Sequence, residues 1–358
     1  FTPALSADGP VVAFESVATN LIAGDTNAHG DIYLYEGPSG HVTRVSLALD
    51  GAEANGRSVL PALSADGSVV AFDSFASNLV GADTNDTRDI FVHDLLSGMT
   101  TRVSLSSGGV EANGVSTDAA LSSSGDIVAF QSAATNLVEG DTNRKADIFV
   151  HDRRSGTTSR VSLASDGTEA DRSSSRPVLS ASGRFVAFRS SATNLVPGDT
   201  NDKADIFVHD RETGVTTRVS VDSDGIQVTG NSEGPLAMTG DGRVVAFQSF
   251  ASDLVPDDAM EVRDTFVHDR LSGVTVRVSI GANGQEADRG SFNLAMSGTM
   301  PAVNIAGGPF LGGNVYANPD GTGFSETCPD GDGDGFCDSP FTMSRGNVDH
   351  FPLTASAP

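Results

Sequence analysis

A Val-Ala-Phe landmark returns along the chain at Phe14, Phe72, Phe130, Phe188 and Phe247, in steps of 58, 58, 58 and 59 residues. Self-similarity at a fixed period of this length means a supersecondary unit copied in tandem. It also changes how polar residues are read, because a residue present in every copy serves the repeat before it serves one act of chemistry.

Each unit carries the signals of short strands and turns, and none shows the i, i+3, i+4 apolar spacing of a helix. In the second copy Leu60–Ser64 is a short apolar run, Asp66-Gly67 makes a turn, and Val69–Phe72 is a β-branched and aromatic run suited to a buried strand. A polar stretch follows from Asp73 to Arg88; Asp89–His93 then reads as a third strand, Ser97-Gly98 turns the chain, and Thr100–Leu105 forms a fourth. Four antiparallel strands per repeat is a propeller blade, so the expected fold is an all-β propeller. Five regular copies span Phe1–Arg57, Ser58–Val115, Ser116–Arg176, Pro177–Gly234 and Pro235–Gly290.

A sixth copy begins and departs from the pattern. Phe292–Gly298 aligns with a first strand and Met300–Ile305 with a second, but no DIFVHD or TRVS segment follows. The expected organisation is five blades over residues 1–290, a partial sixth over 291–318, and an aspartate-rich tail over 319–358. Six blades is the favoured count. Three closures stay open: replacement strands from the tail, a ring of five, or a neighbouring chain filling the gap.

The words LSADGSVVAF (Leu63–Phe72), DIFVHD (Asp89–Asp94) and TTRVSL (Thr100–Leu105) resemble the segments of TolB-like propellers built from WD40-like PD40 repeats. The added phrase SNLVGADTN (Ser77–Asn85) resembles a variant common in secreted microbial proteins. The resemblance covers Phe1 to about Gly290. It implies the fold and leaves function open, since such propellers serve as binding platforms, structural modules and accessory domains of enzymes.

A net charge of −25, with 22 basic residues dispersed among 47 acidic ones, argues against nucleic-acid or anionic-lipid partners and suits cations, calcium included. No apolar run approaches membrane-spanning length, so no membrane insertion is expected. The chain shows no secretory leader at Phe1, an absence that a removed leader would also leave. The only two cysteines, Cys328 and Cys337, bracket CPDGDGDGFC, close enough for a local disulfide and hence an extracellular or cell-surface setting. A zinc or redox pair is the rival reading, but the aspartates between them are hard-cation ligands.

Asp330, Asp332, Asp334 and Asp338 occupy positions 1, 3, 5 and 9 of a D-x-D-x-D-G-x-x-D loop, with Phe336 offering a carbonyl at 7. That spacing aims oxygens at one centre and predicts calcium. The loop departs from an EF-hand at position 12, where Phe341 stands in place of a bidentate Glu. It resembles thrombospondin type 3 loops, and DSPF (Asp338–Phe341) with NVDHFPL (Asn347–Leu353) resembles the ends of NosD-like β-helix proteins. A second calcium candidate recurs in the blades as D-T-N-x-x-x-D: Asp25, Asn27 and Asp31; Asp83, Asn85 and Asp89; Asp141, Asn143 and Asp147; Asp199, Asn201 and Asp205. Turn-capping by the same Asp and Asn side chains explains the pattern equally, and Met260 breaks it in the fifth copy.

His93, His151, His209 and His268 lie whole blades apart, too far for one ion, and Tyr35 replaces them in the first copy, so packing is their expected role. Arg44, Arg102, Arg160, Arg218 and Arg277 are expected to pair across the hairpin with Glu36, Asp94, Asp152, Asp210 and Asp269. Such exposed pairs contribute about 0.2–1 kcal/mol each and place charge on the open outer edge. Hydrolase, zincin and phosphate-loop motifs are missing. An active site assembled from several blades should break the repeat symmetry, which happens at Asp257–Arg263, at Ile226–Glu233 and after Gly290. The function expected first is a secreted or surface structural, protein-binding propeller. An unpaired inner strand in its incomplete blade would let the C-terminal segment dock on another copy, giving a head-to-tail homopolymer. The alternative is a calcium-dependent hydrolase or lyase acting on polysaccharide or peptide.

Overall fold

The computed structural model describes residues 3–7, 11–37, 39–81, 83–256, 258 and 262–280, with the backbone pairing of Phe341–Thr342 and Val348–Asp349. All regular structure among them is strand. The partial sixth blade and most of the tail, including Cys328, Cys337 and the loop from Asp330 to Asp338, lie outside the described residues.

Five four-stranded antiparallel sheets follow one another, each with its strands in sequence order. The second copy sets the pattern with Ser58–Leu63, Val69–Ser74, Asp89–Asp94 and Met99–Arg102. The strand count and turns match those expected. The sheet boundaries differ in later copies, where the first strands begin at Ser174 and Ser232, ahead of the Pro177 and Pro235 expected to open those copies. Each of these prolines falls in an irregular stretch of the first strand, where the ladder shifts register and no hydrogen-bonded partner requires its missing N–H.

The core lies between blades. Ile32, Leu34 and Val45 of the first blade pack on Leu63, Val70 and Phe72 of the second, and this arrangement recurs at the next three junctions. Inside each blade the landmark phenylalanine stacks on the aromatic ring of the third strand, Phe72 on Phe91 at 6.0 Å between centroids. Backbone bonds stitch the array: Ala7 N–H donates to Ala65 O, Ala65 to Ser123, Ser123 to Ala181, and Ala181 to Gly240, at 2.8–3.0 Å. First strands of successive blades lie against one another and form the inner wall. The SNLV phrase tucks Leu79, Leu137, Leu195 and Leu254 into the cores.

Candidate functional site

The D-T-N loops close on a side chain from the fourth strand. Arg44 Nη1 lies 3.3 Å from Asp25, 3.3 Å from Asp31 and 2.8 Å from Glu53. Arg102 holds Asp83, Asp89 and Glu111, and Arg160 holds Asp141, Asp147 and Glu169, at 2.9–3.5 Å. In the fourth blade Arg218 meets Asp199 and Asp205, with Gln227 accepting a bond where the others have Glu. In the fifth Arg277 approaches Asp258 and Asp264. The arginine side chains are only 6–9% exposed.

This geometry corrects the expected hairpin pairing. The register sets Arg102 opposite Phe91 and Asp94 opposite Met99, so the arginine turns inward under the loop and does not guard the edge. Asp94 instead accepts from Ser97 N–H at 2.9 Å in the turn. Hairpin-end carboxylates that do find arginines find different ones: Arg184 binds Asp210 through two bonds, and Arg243 binds Asp269.

The same geometry does not fit calcium in the blade loops. Asn27 presents its amide nitrogen, not its oxygen, to Asp31, and that orientation is fixed by a second bond from the same nitrogen to Ala54 O at 3.1 Å. Asn85, Asn143 and Asn201 repeat both bonds. The centre that calcium would occupy is served by a guanidinium. Ser46, Ser104, Ser162, Ser220 and Ser279 each donate to the third-strand Asp. Burial pushes Asp83, Asp89, Asp141, Asp147 and Asp205 above the usual carboxylate range, and Asp199 up to about 6. Among the described residues no group of three or more His, Cys, Asp or Glu is arranged to hold a metal ion. The serines two residues after each repeated arginine, and the glutamates nine residues after it in every copy but the fourth, were legible as repeats, but only the fold shows which loop they serve.

The histidines pack between blades. His151 Nδ1 lies 2.9 Å from Thr158 Oγ1, and that hydroxyl donates to Leu105 O of the preceding blade. Since Thr158 has spent its proton, the histidine must donate from Nδ1. His209 and His268 repeat the relay. Burial lowers the pKa of all four histidines and favours the neutral ring.

Symmetry breaks sharply at another place, one residue after each landmark: Glu15, Asp73, Gln131, Arg189 and Gln248. All lie on second strands, and Asp73, Gln131, Arg189 and Gln248 stand opposite the start of the first strand, beside the inner wall. Asp73 is fully buried; its Oδ2 accepts from Arg88 at 2.6 Å, from Thr117 Oγ1 at 2.6 Å and from the backbone of Asp118 at 3.1 Å. Burial outweighs these donors and pushes its pKa up to about 7. Glu15 pairs with Arg57, and Glu233 with Arg263. The folding positions repeat while this position varies in charge and polarity from copy to copy.

Four antiparallel strands in each of five consecutive sheets, with first strands against first strands, decide the architecture. The chain is a β-propeller. No protein-family model matches it, and no curated protein matches it. Solved structures similar to this propeller include TolB from Acinetobacter baumannii, 17% identical with a TM-score of 0.46, over 82% of this chain and 55% of that one. An oligogalacturonate lyase in complex with manganese is 13% identical at a TM-score of 0.48, over 77% of this chain and 64% of that one. The β-propeller domain of the Trilobed protease from Pyrococcus furiosus is also 13% identical at 0.48, over 78% and 71%. The propeller thus spans little more than half the length of that TolB. No helix among its described residues is long and apolar enough to cross a membrane.

Proposed function

We propose that this is a secreted or cell-surface structural and protein-binding propeller that assembles head to tail into a fibre through its C-terminal segment. One observation carries the reading. Val45, Val103, Val161 and Val219 are 1–2% exposed beneath the next blade, whereas their equivalent Val278 is 40% exposed and Ile280 beside it 50%. At the other end Phe14 is half-buried, where Phe72, Phe130, Phe188 and Phe247 are fully buried. The outgoing face of the last described blade and the incoming face of the first are the two halves of a junction that the chain builds four times internally. Complementary, non-identical faces generate open polymers when they do not close within one molecule. In this proposal Asp330, Asp332, Asp334, Asp338 and the Phe336 carbonyl hold calcium, Cys328 and Cys337 staple the loop, and the stiffened tail joins one copy to the next.

Light scattering of the full chain tests the reading. Calcium is expected to raise the scattered mass of the parent, and chelation to reverse it, while Val278→Asp stays monomeric in both conditions. A parent that remains a monodisperse monomer in calcium overturns fibre assembly. The second reading, a calcium-dependent hydrolase or lyase acting on polysaccharide or peptide, is supported by the variation among the copies at Glu15, Asp73, Gln131, Arg189 and Gln248, since an active site drawn from several blades breaks the repeat. Turnover on a glycan and peptide panel, abolished by a substitution at one of these positions that leaves the fold intact, would establish it.

A further inference from the structure

Arg189 stands out at the inner rim. It is half-buried, yet no hydrogen bond or ion pair among the described residues engages its side chain; Glu233 acts on Arg189, and Asp118 on Arg176, through space and without an ion-pair contact. Arg176 sits in the bulge of the neighbouring first strand, directly after Ser175, which is the cross-strand partner of Arg189. Its φ of 55° holds it in the left-handed region, and its Nη1 donates to Gly234 O of the next blade at 2.9 Å, which fixes the guanidinium at the rim. Burial, and then the charge of Arg176, pulls the proton affinity of Arg189 below the ordinary arginine value. Two like charges are therefore brought together where water is restricted, and the nearby Glu233 and Asp118 offset them only in part, without closing an ion pair on either guanidinium.

The fold does not require this arrangement. Gln131 and Gln248 occupy the position of Arg189 in the adjacent blades, and Leu60, Asp118 and Gly234 occupy that of Arg176. Leu60, a neutral side chain at a φ of 52°, satisfies the same left-handed backbone. Aromatic rings flank the rim at the same end of the blades, with Arg88 over Phe75 and Arg263 over Phe250, both rings partly exposed.

We propose that Arg176 and Arg189 form an anion site at the inner rim of the propeller, for a ligand that presents a carboxylate. Guanidinium groups match the planar, two-oxygen geometry of a carboxylate and bind it through paired N–H donors. The choice of a singly charged, delocalised anion over phosphate follows from the field of the whole molecule, since a net charge of −25 opposes a multiply charged ligand more strongly. A uronic acid and an acidic amino-acid side chain supply the same chemistry. The site is independent of how the last blade is covered.

Isothermal titration calorimetry of the full chain at low ionic strength tests this, with D-glucuronate, N-acetyl-L-aspartate and inorganic phosphate as separate probes. Saturable binding of at least one carboxylate, weaker binding of phosphate, and a loss of about tenfold or more in Arg189→Gln are expected. Arg154→Gln, at a side chain 78% exposed and paired with Asp126, should bind as the parent does. Glucuronate binding without N-acetylaspartate assigns the sugar acid, and the reverse assigns the peptide group. Arg176→Leu, copying Leu60, provides the second variant should Arg189→Gln fail to fold. Absence of saturable binding by either carboxylate, tighter binding of phosphate, or equal binding by the parent and the folded variants would overturn the proposal.

Discussion

At the scale of the residue, an arginine buried beneath each D-T-N loop supplies the cation that the loop's carboxylates require. Taking away one member of such a cluster leaves charges buried without a counter-ion, which typically costs about 3–5 kcal/mol. Arg102→Met is therefore expected to lower stability by about that amount in denaturant unfolding, because Asp83 and Asp89 stay buried beneath the loop. A merely exposed pair would cost less than about 1 kcal/mol. Asp73 makes a pH-dependent contribution of opposite kind. Its folded-state pKa of about 7 lies above the ordinary carboxylate value, so the folded chain binds the proton more tightly and gains stability as pH falls from about 7 to about 4. The buried histidines act the other way below about 6.5, so the informative quantity is the difference between parent and Asp73→Asn. Relative to the variant, the parent should gain stability with falling pH across that window, by at most about 1.4 kcal/mol per pH unit. A difference that does not change with pH would show that Asp73 titrates normally.

At the scale of the element, the glycine turn between the first two strands also seals the junction to the preceding blade. Gly125 has a φ of 71°, and a Cβ built there would come within 2.7 Å of Val69 Cβ. Gly125→Ala is expected to lose about 1–2 kcal/mol from backbone strain alone, with the clash against Val69 added, readable as a lower thermal midpoint. Ala at Gly40, whose φ is 66° but around which no atom stands within 4 Å, should lose only the backbone part. These elements were largely legible in the sequence, since Asp66-Gly67, the VAF run and DIFVHD each specify a strand or a turn by local chemistry. The arginine partners were not. Pairing Arg102 with Asp94 assumed that both faced the same side of the hairpin, whereas the register places Arg102 opposite Phe91 and sends it inward. Nor could spacing show that Glu53 reaches back to Thr26, a contact between segments 27 residues apart that exists only once the loop and outer strand are folded together. The variable position after each landmark phenylalanine was visible in the repeat, but its place at the inner rim follows from the ordering of strands.

At the scale of the whole molecule, the propeller is an array of junctions, and its stability and its assembly follow the same rule. Each junction buries an outgoing set, such as Ile90, Val92 and Val103, against an incoming set, such as Leu121, Val128 and Phe130. Among the described residues nothing gives the outgoing Val267 and Val278 of the last described blade that cover. Burying side chains of this size contributes about 1.5–3 kcal/mol each, enough for several together to drive association. Hydrogen exchange of the 275–280 segment, measured with calcium present at protein concentrations below and above the onset of assembly, decides what covers this face. Head-to-tail assembly predicts that protection of 275–280 rises with concentration, in step with protection of the incoming strand at 11–16. Protection that is the same at every concentration would show that the chain completes its own junction and would contradict assembly through this face.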